Sequence, residues 1–299
     1  MIPLAAGLNP FAHIPTDRGV DASLTKVVKS GPMKPSHAGL LGLLTTIAIA
    51  GAARADDLRD LCPDRPLRGV SACSVDQGHW QLETDFANWT RDKSGGATTD
   101  TLLAPNPTLK YGVSSTVDVE ATFAPYQFQR IKSGGVSASN SGIGDLTLGV
   151  KWHISGTNGQ DGFGLLPFIK LPTAKHALGN GAVEGGVYAP WQASLPLGWS
   201  VDITPELDLF KNENGAGRHL ATTASVGVSH PLGPVFNINF EVWGRRDFDP
   251  GGATQQWTFD TALVWQPKGA DYAFDAEVDF GLNRQTPDAQ FIVGLSKRF

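Results

Sequence analysis

The residues best able to do chemistry in this chain are carboxylates that recur at every second position. Glu83 and Asp85 alternate with apolar residues, as do Asp118 and Glu120. The same holds for Asp145, for Asp202, Glu206 and Asp208, for Glu241, for Asp260, and for Asp275, Glu277 and Asp279. Period two places such residues on one face of a strand. Carboxylates gathered in a narrow interior must be paired, hydrated or protonated. Lys110, Lys151, Lys170, Arg245 and Arg298 are the candidate partners, and they are fewer than the acids. An open passage lined this way prefers cations, as rings of Asp or Glu do. In a closed interior the same charges would form a structural network.

Catalysis would need a nucleophile, a base and an orienting group converging at one level. His79, His153, His176, His219 and His230 show no recognisable spacing with a nucleophile, and they read as solvated or structural. No phosphate loop or zinc motif occurs. The expectation is a protein that is not an enzyme and needs no cofactor or metal.

The elements that carry these side chains alternate almost without pause from Trp80 to Phe299. Val117, Val119, Ala121 and Phe123 share a face, as do Leu146, Leu148, Val150 and Trp152, and Tyr272, Phe274, Ala276, Val278, Phe280 and Leu282. Residues 101–111 form a weaker strand broken by Pro105 and Pro107, and residues 162–172 are apolar on both faces, so their register stays open. The count is about twelve strands, each near the ~9–11 residues that cross a bilayer at a tilt. The connections alternate in length. Arg91–Asp100, Gln129–Ser141, Thr173–Ala182, Lys211–Arg218 and Asp247–Thr254 read as long loops, and Gly112–Ser114, Pro196–Gly198, Pro231–Pro234 and Pro267–Ala270 as short turns. Such alternation belongs to transmembrane barrels, and an even strand count places both termini on the short-turn, periplasmic side.

Composition agrees. The 299 residues include 35 Gly, 8 Trp and 15 Phe with only 18% charged residues, which suits β structure better than helix. The net charge of -5 gives no basis for nucleic-acid binding. Large aromatics fall near strand ends on the apolar face (Trp80, Trp152, Trp199, Trp257, Trp265, Tyr272, Phe299), where an interfacial girdle belongs. The apolar face is therefore expected to meet lipid and the charged face the lumen.

Residues 33–55 read as a signal peptide: Met33-Lys34, an apolar run from Leu40 to Ala50, and a small-x-small site at Ala53-Arg54-Ala55. Residues 1–32 read as an unstructured upstream extension, with Met33 as a possible true start. Export implies an oxidising compartment, so Cys62 and Cys73 are expected to form a disulfide. Residues 56–77 are then a short, stiffened periplasmic segment able to cap or enter the barrel mouth, and residues 78–299 are the barrel. In the last strand Phe291, Val293, Leu295 and Phe299 share a face, resembling the C-terminal signal that barrel-assembly machinery reads.

Cys62-Pro63-Asp64-Arg65-Pro66, Cys73 with Gly78-His79, Gly142-Ile143-Gly144-Asp145-Leu146, Pro167–Thr173 and the final Phe299 carry a further likeness. On these residues the chain resembles the transporter-like outer-membrane family named for the "MetA pathway of phenol degradation". The resemblance implies a small outer-membrane barrel that passes hydrophobic or aromatic compounds. The combined reading is an all-β, antiparallel barrel in a Gram-negative outer membrane, a porin-like channel for passive passage of small molecules. Its partners are membrane lipid, the assembly machinery and a small solute. The rivals are a barrel enzyme acting on lipid or peptide and a closed structural barrel.

Overall fold

The computed structural model describes residues 58–175 and 178–299. The expected upstream extension, the signal peptide, Asp56 and His176 lie outside the described residues. Sixteen strands follow in order: β1 (Trp80–Ser94), β2 (Ala97–Leu103), β3 (Asn106–Gly112), β4 (Val117–Phe123), β5 (Gln127–Ser133), β6 (Val136–Gly142), β7 (Leu146–Thr157) and β8 (Asp161–Leu171). Then come β9 (Glu184–Tyr188), β10 (Trp191–Ser194), β11 (Ser200–Lys211), β12 (Arg218–Pro231), β13 (Phe236–Asp247), β14 (Thr254–Trp265), β15 (Tyr272–Gly281) and β16 (Ala289–Arg298).

Eight of these are halves of four wall strands. β2 and β3 part at Ala104-Pro105, β4 and β5 around Pro125, and β9 and β10 at Ala189-Pro190, because proline has no N–H for the ladder. β6 and β7 part at Ile143-Gly144-Asp145, where the Gly144 N–H donates to the Ala124 carbonyl at 2.8 Å. Counted so, the wall has twelve antiparallel strands. It closes where β1 pairs with β16, from Gln81↔Arg298 to Arg91↔Ala289.

The faces are inverted relative to a soluble protein. Lys110, Lys151, Lys170, Glu241, Asp118 and Asp208 are among the most buried side chains, while Trp80, Phe86, Val150, Leu207, Leu220 and Phe280 are exposed. The apolar face points outward. Trp80, Trp152, Trp191, Trp199 and Trp265 ring the end that holds the short turns and Phe299.

Two expected loops are strands. Arg91–Asp100 and Gln129–Ser141 continue the wall as the hairpins β1–β2 and β5–β6. Their tips are Gly95-Gly96 and Gly134-Gly135, all at positive φ, which suits the tight turn that keeps flanking strands in register. A bulge at Phe86 shifts the phase of β1, so Phe86 faces out while Asn88, Thr90 and Asp92 face in despite equal parity. The open register of residues 162–172 is settled: Leu166, Phe168 and Lys170 face in, and Phe163, Leu165 and Ile169 face out.

Candidate functional site: a charged segment inside the barrel

Residues 59–77 form no strand of their own, yet all but Asp60 and Gln77 are buried or half-buried. A segment without secondary structure must find partners for its backbone groups elsewhere. Here the wall carboxylates supply them. The Leu67 N–H donates to Glu277 Oε2 at 3.0 Å, those of Arg68 and Gly69 to the two Glu241 oxygens at 2.9 and 3.0 Å, and that of Asp64 to Glu83 at 3.1 Å. Nearer the terminus-bearing end, the Val75 N–H donates to Asp118 at 2.8 Å, and the Ala72 carbonyl lies 2.9 Å from His153 Nδ1. Cys62 and Cys73 are joined by a disulfide, which closes the loop that carries these contacts.

The side chains of that loop match a two-sided lumen. Asp64 points to β3 and β7, where it accepts from both Lys110 and Lys151. Lys110 also lies 2.6 Å from Glu83, and Lys151 lies 3.4 Å from Glu120. Burial alone would raise the Asp64 carboxyl; the Lys110 and Lys151 ammonium groups outweigh it and hold Asp64 well below the usual carboxylate range.

Arg65 and Arg68 point the other way. Arg65 grips Asp275 with two bonds, 2.7 Å from Nη2 and 3.2 Å from Nε, and also bonds Asp85. Arg68 donates from Nε to Asp260 at 3.1 Å, and from Nη2 to Asp279 at 2.5 Å and Gln290 at 2.8 Å. Its guanidinium also lies 5.3 Å from the centre of the Trp243 ring. Two forked cations on a planar acidic wall are the geometry in which arginine outperforms lysine. Glycine makes the fit possible: a Cβ on Gly294 would lie 2.0 Å from Arg65 Nη2, and one on Gly69 would lie 2.8 Å from Glu241 Oε2. At the mouth, Arg298 bonds Asp76 at 2.7 Å and the Arg59 carbonyl at 2.8 Å.

Every candidate lumen residue lies on the inner face, but they divide. Glu83, Asp85, Asp118, Lys151, Glu241, Asp260, Asp275, Glu277, Asp279 and Arg298 touch the inserted segment. Glu120 approaches it through Lys110 and Lys151, and Asp202 lies beside Gly69. Asp145 and Lys170 form a separate cluster with Glu184, at 3.2 and 2.8 Å from the lysine. Glu206 and Asp208 lie in the field of Arg245, itself 3.6 Å from Asp247. The histidines are scattered: His219 sits between Asp247 and Asp249 at 2.9 and 3.3 Å, and His230 packs on Trp199. Among the described residues, no group of three His, Cys, Asp or Glu side chains could hold a metal ion.

Sequence reasoning missed the inward apolar residues. Val70, Leu166, Phe168 and Tyr188 form a buried cluster inside the otherwise polar lumen. Val70, Leu166 and Phe168, together with Leu103 and Ile292, border a recess of about 970 Å³, counted out to open solvent, beside Arg65 and Arg68. Only the two-sided apolarity of residues 162–172 hinted at it.

A closed twelve-strand wall, apolar outside and ionised within, defines an outer-membrane β-barrel protein. The model of the family described as "Putative MetA-pathway of phenol degradation" matches residues 63–299, and the chain belongs to that family. The match covers the barrel and the inserted segment from Pro63 onward. No curated protein matches the chain. Among solved structures the fold is similar to the COG4313 outer membrane channel from Pseudomonas putida F1, with TM-score 0.60, 15% identity, and 76% of this chain and 98% of that chain covered. It is also similar to the translocator domain of the autotransporter NalP from Neisseria meningitidis, with TM-score 0.50, 14% identity, and 75% and 89% covered. The β domain of the Bordetella autotransporter BrkA gives TM-score 0.50, 12% identity, and 75% and 100% covered.

Proposed function

We propose that the protein is a passive channel for small solutes whose lumen is closed by residues 59–77 in the conformation described. The observation that carries this reading is how the segment is held. Most of its polar grip is side-chain ion pairs and carboxylate-to-backbone bonds, joined by Gln192, Asn158, His153 and Thr204 contacts at residues 70–74, with one isolated bridge, Gln77↔Gly112, to the wall's own ladder. Charged contacts can be exchanged for water and counter-ions as the segment leaves, without breaking a strand pair. Its departure would leave acids in excess on the β13–β15 side, which supports a cation preference. The apolar border of Leu103, Leu166, Phe168 and Ile292 supports a solute with a hydrophobic or aromatic part. In this reading both termini face the periplasm and the hairpins β1–β2 and β5–β6 face outside. The last strand, with Phe291, Val293, Leu295 and Phe299, serves assembly.

Uptake into proteoliposomes tests the function. Small organic cations and neutral aromatics should enter faster through the Arg65→Gln, Arg68→Gln double variant than through the wild type, and size-matched anions more slowly than either. Equal exclusion of every solute by both proteins would support a closed structural barrel.

A further inference from the structure

Outside the barrel, one patch departs from the apolar face. In an antiparallel ladder, directly paired residues share a face. The register sets Trp89, Leu102 and Phe128 side by side on the outer face. Two residues further along, it sets Arg91, Asp100 and Arg130 in the next row, and then Lys93, Thr98 and Lys132. The inward residues between them, Thr90, Asp92, Thr99 and Thr101, are buried.

Asp100 organises the patch. It is 6% exposed and accepts from Arg91 Nε at 2.8 Å and Arg130 Nη2 at 3.1 Å, so both guanidinium groups are held side by side with their side chains about two-fifths exposed. The Arg91 guanidinium lies 4.9 Å from the centre of the Trp89 ring, which fixes it against the aromatic row. Lys93 and Lys132 are exposed. Four cations thus face one shielded carboxylate. Asp92, between Arg91 and Lys93, belongs to the opposite face by register.

Height decides what these cations meet. From Trp80 to Trp89, at about 3.3 Å per residue and a tilt near 40°, β1 climbs roughly 23 Å. That is close to the ~25 Å apolar band of outer-membrane barrels. The Arg91 row therefore sits at the headgroup level of the leaflet opposite the termini. With the orientation proposed above, on which this inference rests, that leaflet is the outer one, built of phosphate-bearing glycolipid.

We propose that Arg91, Lys93, Arg130 and Lys132 form a binding site for the phosphorylated headgroup of an outer-leaflet glycolipid, seated above Trp89 and Phe128. Spacing suits it: side chains on alternate rows stand about 7 Å apart and those across two strands about 10 Å apart, so two phosphates of one headgroup can each meet a basic pair.

The test uses full-length, detergent-purified protein titrated with deep-rough lipopolysaccharide. The wild type should bind about tenfold or more tightly than the fourfold variant R91Q/K93Q/R130Q/K132Q, since cations near an anionic surface strengthen binding. An R218Q/R246Q control on another part of the wall should bind like the wild type. Dephosphorylated glycolipid should bind the wild type no better than the fourfold variant. Equal affinity of wild type and fourfold variant would overturn the site, as would full competition by millimolar inorganic phosphate, which would mean capture of the free anion. Orientation is read separately, from Lys132→Cys in intact cells. Labelling by an impermeant maleimide supports the outer placement. Labelling only after permeabilisation would overturn the proposed orientation, and this inference with it, whatever the channel measurements gave.

Discussion

Arg68 meets carboxylates from two wall strands and a glutamine from a third, all deep inside the barrel. Removing one partner of a buried ionic cluster leaves the others uncompensated, at a typical cost of ~3–5 kcal/mol. Arg68→Gln should therefore unseat the segment around it, seen as faster trypsin cleavage after Arg59 in folded protein. Arg68→Lys should restore only part of the protection, because an ammonium cannot span Asp260 and Asp279 as a fork does. The opposite anchor behaves differently with pH. Asp64 has a folded pKa below its unfolded value of about 3.9, so its contribution is complete above that value and is lost only as pH falls through the depressed one. The difference in segment protection between wild type and Asp64→Asn should stay constant from about pH 7 to about pH 4 and shrink below that. A difference that vanished near neutrality would contradict the Lys110–Asp64–Lys151 anchor.

At the scale of elements, the inserted loop and the wall are shaped for each other. Gly294 leaves on β16 the slot that the Arg65 guanidinium occupies. Gly294→Ala should displace Arg65 and raise the segment's protease sensitivity while the barrel keeps its heat-modifiable migration on gels; unchanged protection would mean that the slot is not needed. The disulfide ties together the ends of the loop bearing Asp64, Arg65 and Arg68, limiting the conformations available to it once released. Cys62→Ser with Cys73→Ser should lengthen the released state in time-resolved measurements, without loss of the barrel. Much of this scale was legible in the chain. Alternating residues such as Leu146 to Trp152 and Tyr272 to Leu282 declare both the strand and its faces, because period two has no other cause over such lengths. The hairpin tips were harder: Gly95-Gly96 and Gly134-Gly135 lie among polar residues, where no apolar face remains to show that strands continue above the membrane. Phe86 hid a phase shift, since a bulge alters which residues face in without altering composition. Leu166, Phe168 and Trp243 face inward against the segment, so their strands lose the polar-inside pattern. The pairings of Arg65 and Arg68 span about 200 residues of sequence, and no local spacing encodes them.

At the scale of the molecule, the lumen is divided by charge. Lysines on β3 and β7 face acids on β1 and β13–β15, and the loop inserts its own Asp64, Arg65 and Arg68 in the complementary sense. A barrel of fixed width then has two electrical states: residues 59–77 carry three acids (Asp60, Asp64, Asp76) and three bases (Arg59, Arg65, Arg68), so the segment's departure leaves the net charge unchanged but uncovers Asp85, Asp260, Asp275 and Asp279, which Arg65 and Arg68 pair. Single-channel recording in a salt gradient reads both directly. Wild-type protein should show small or rare openings. Arg65→Gln, Arg68→Gln protein, and protein lacking residues 59–77, should show frequent, larger steps with a reversal potential favouring cations. Identical conductance in all three proteins, each shown to be folded, would contradict closure by the segment.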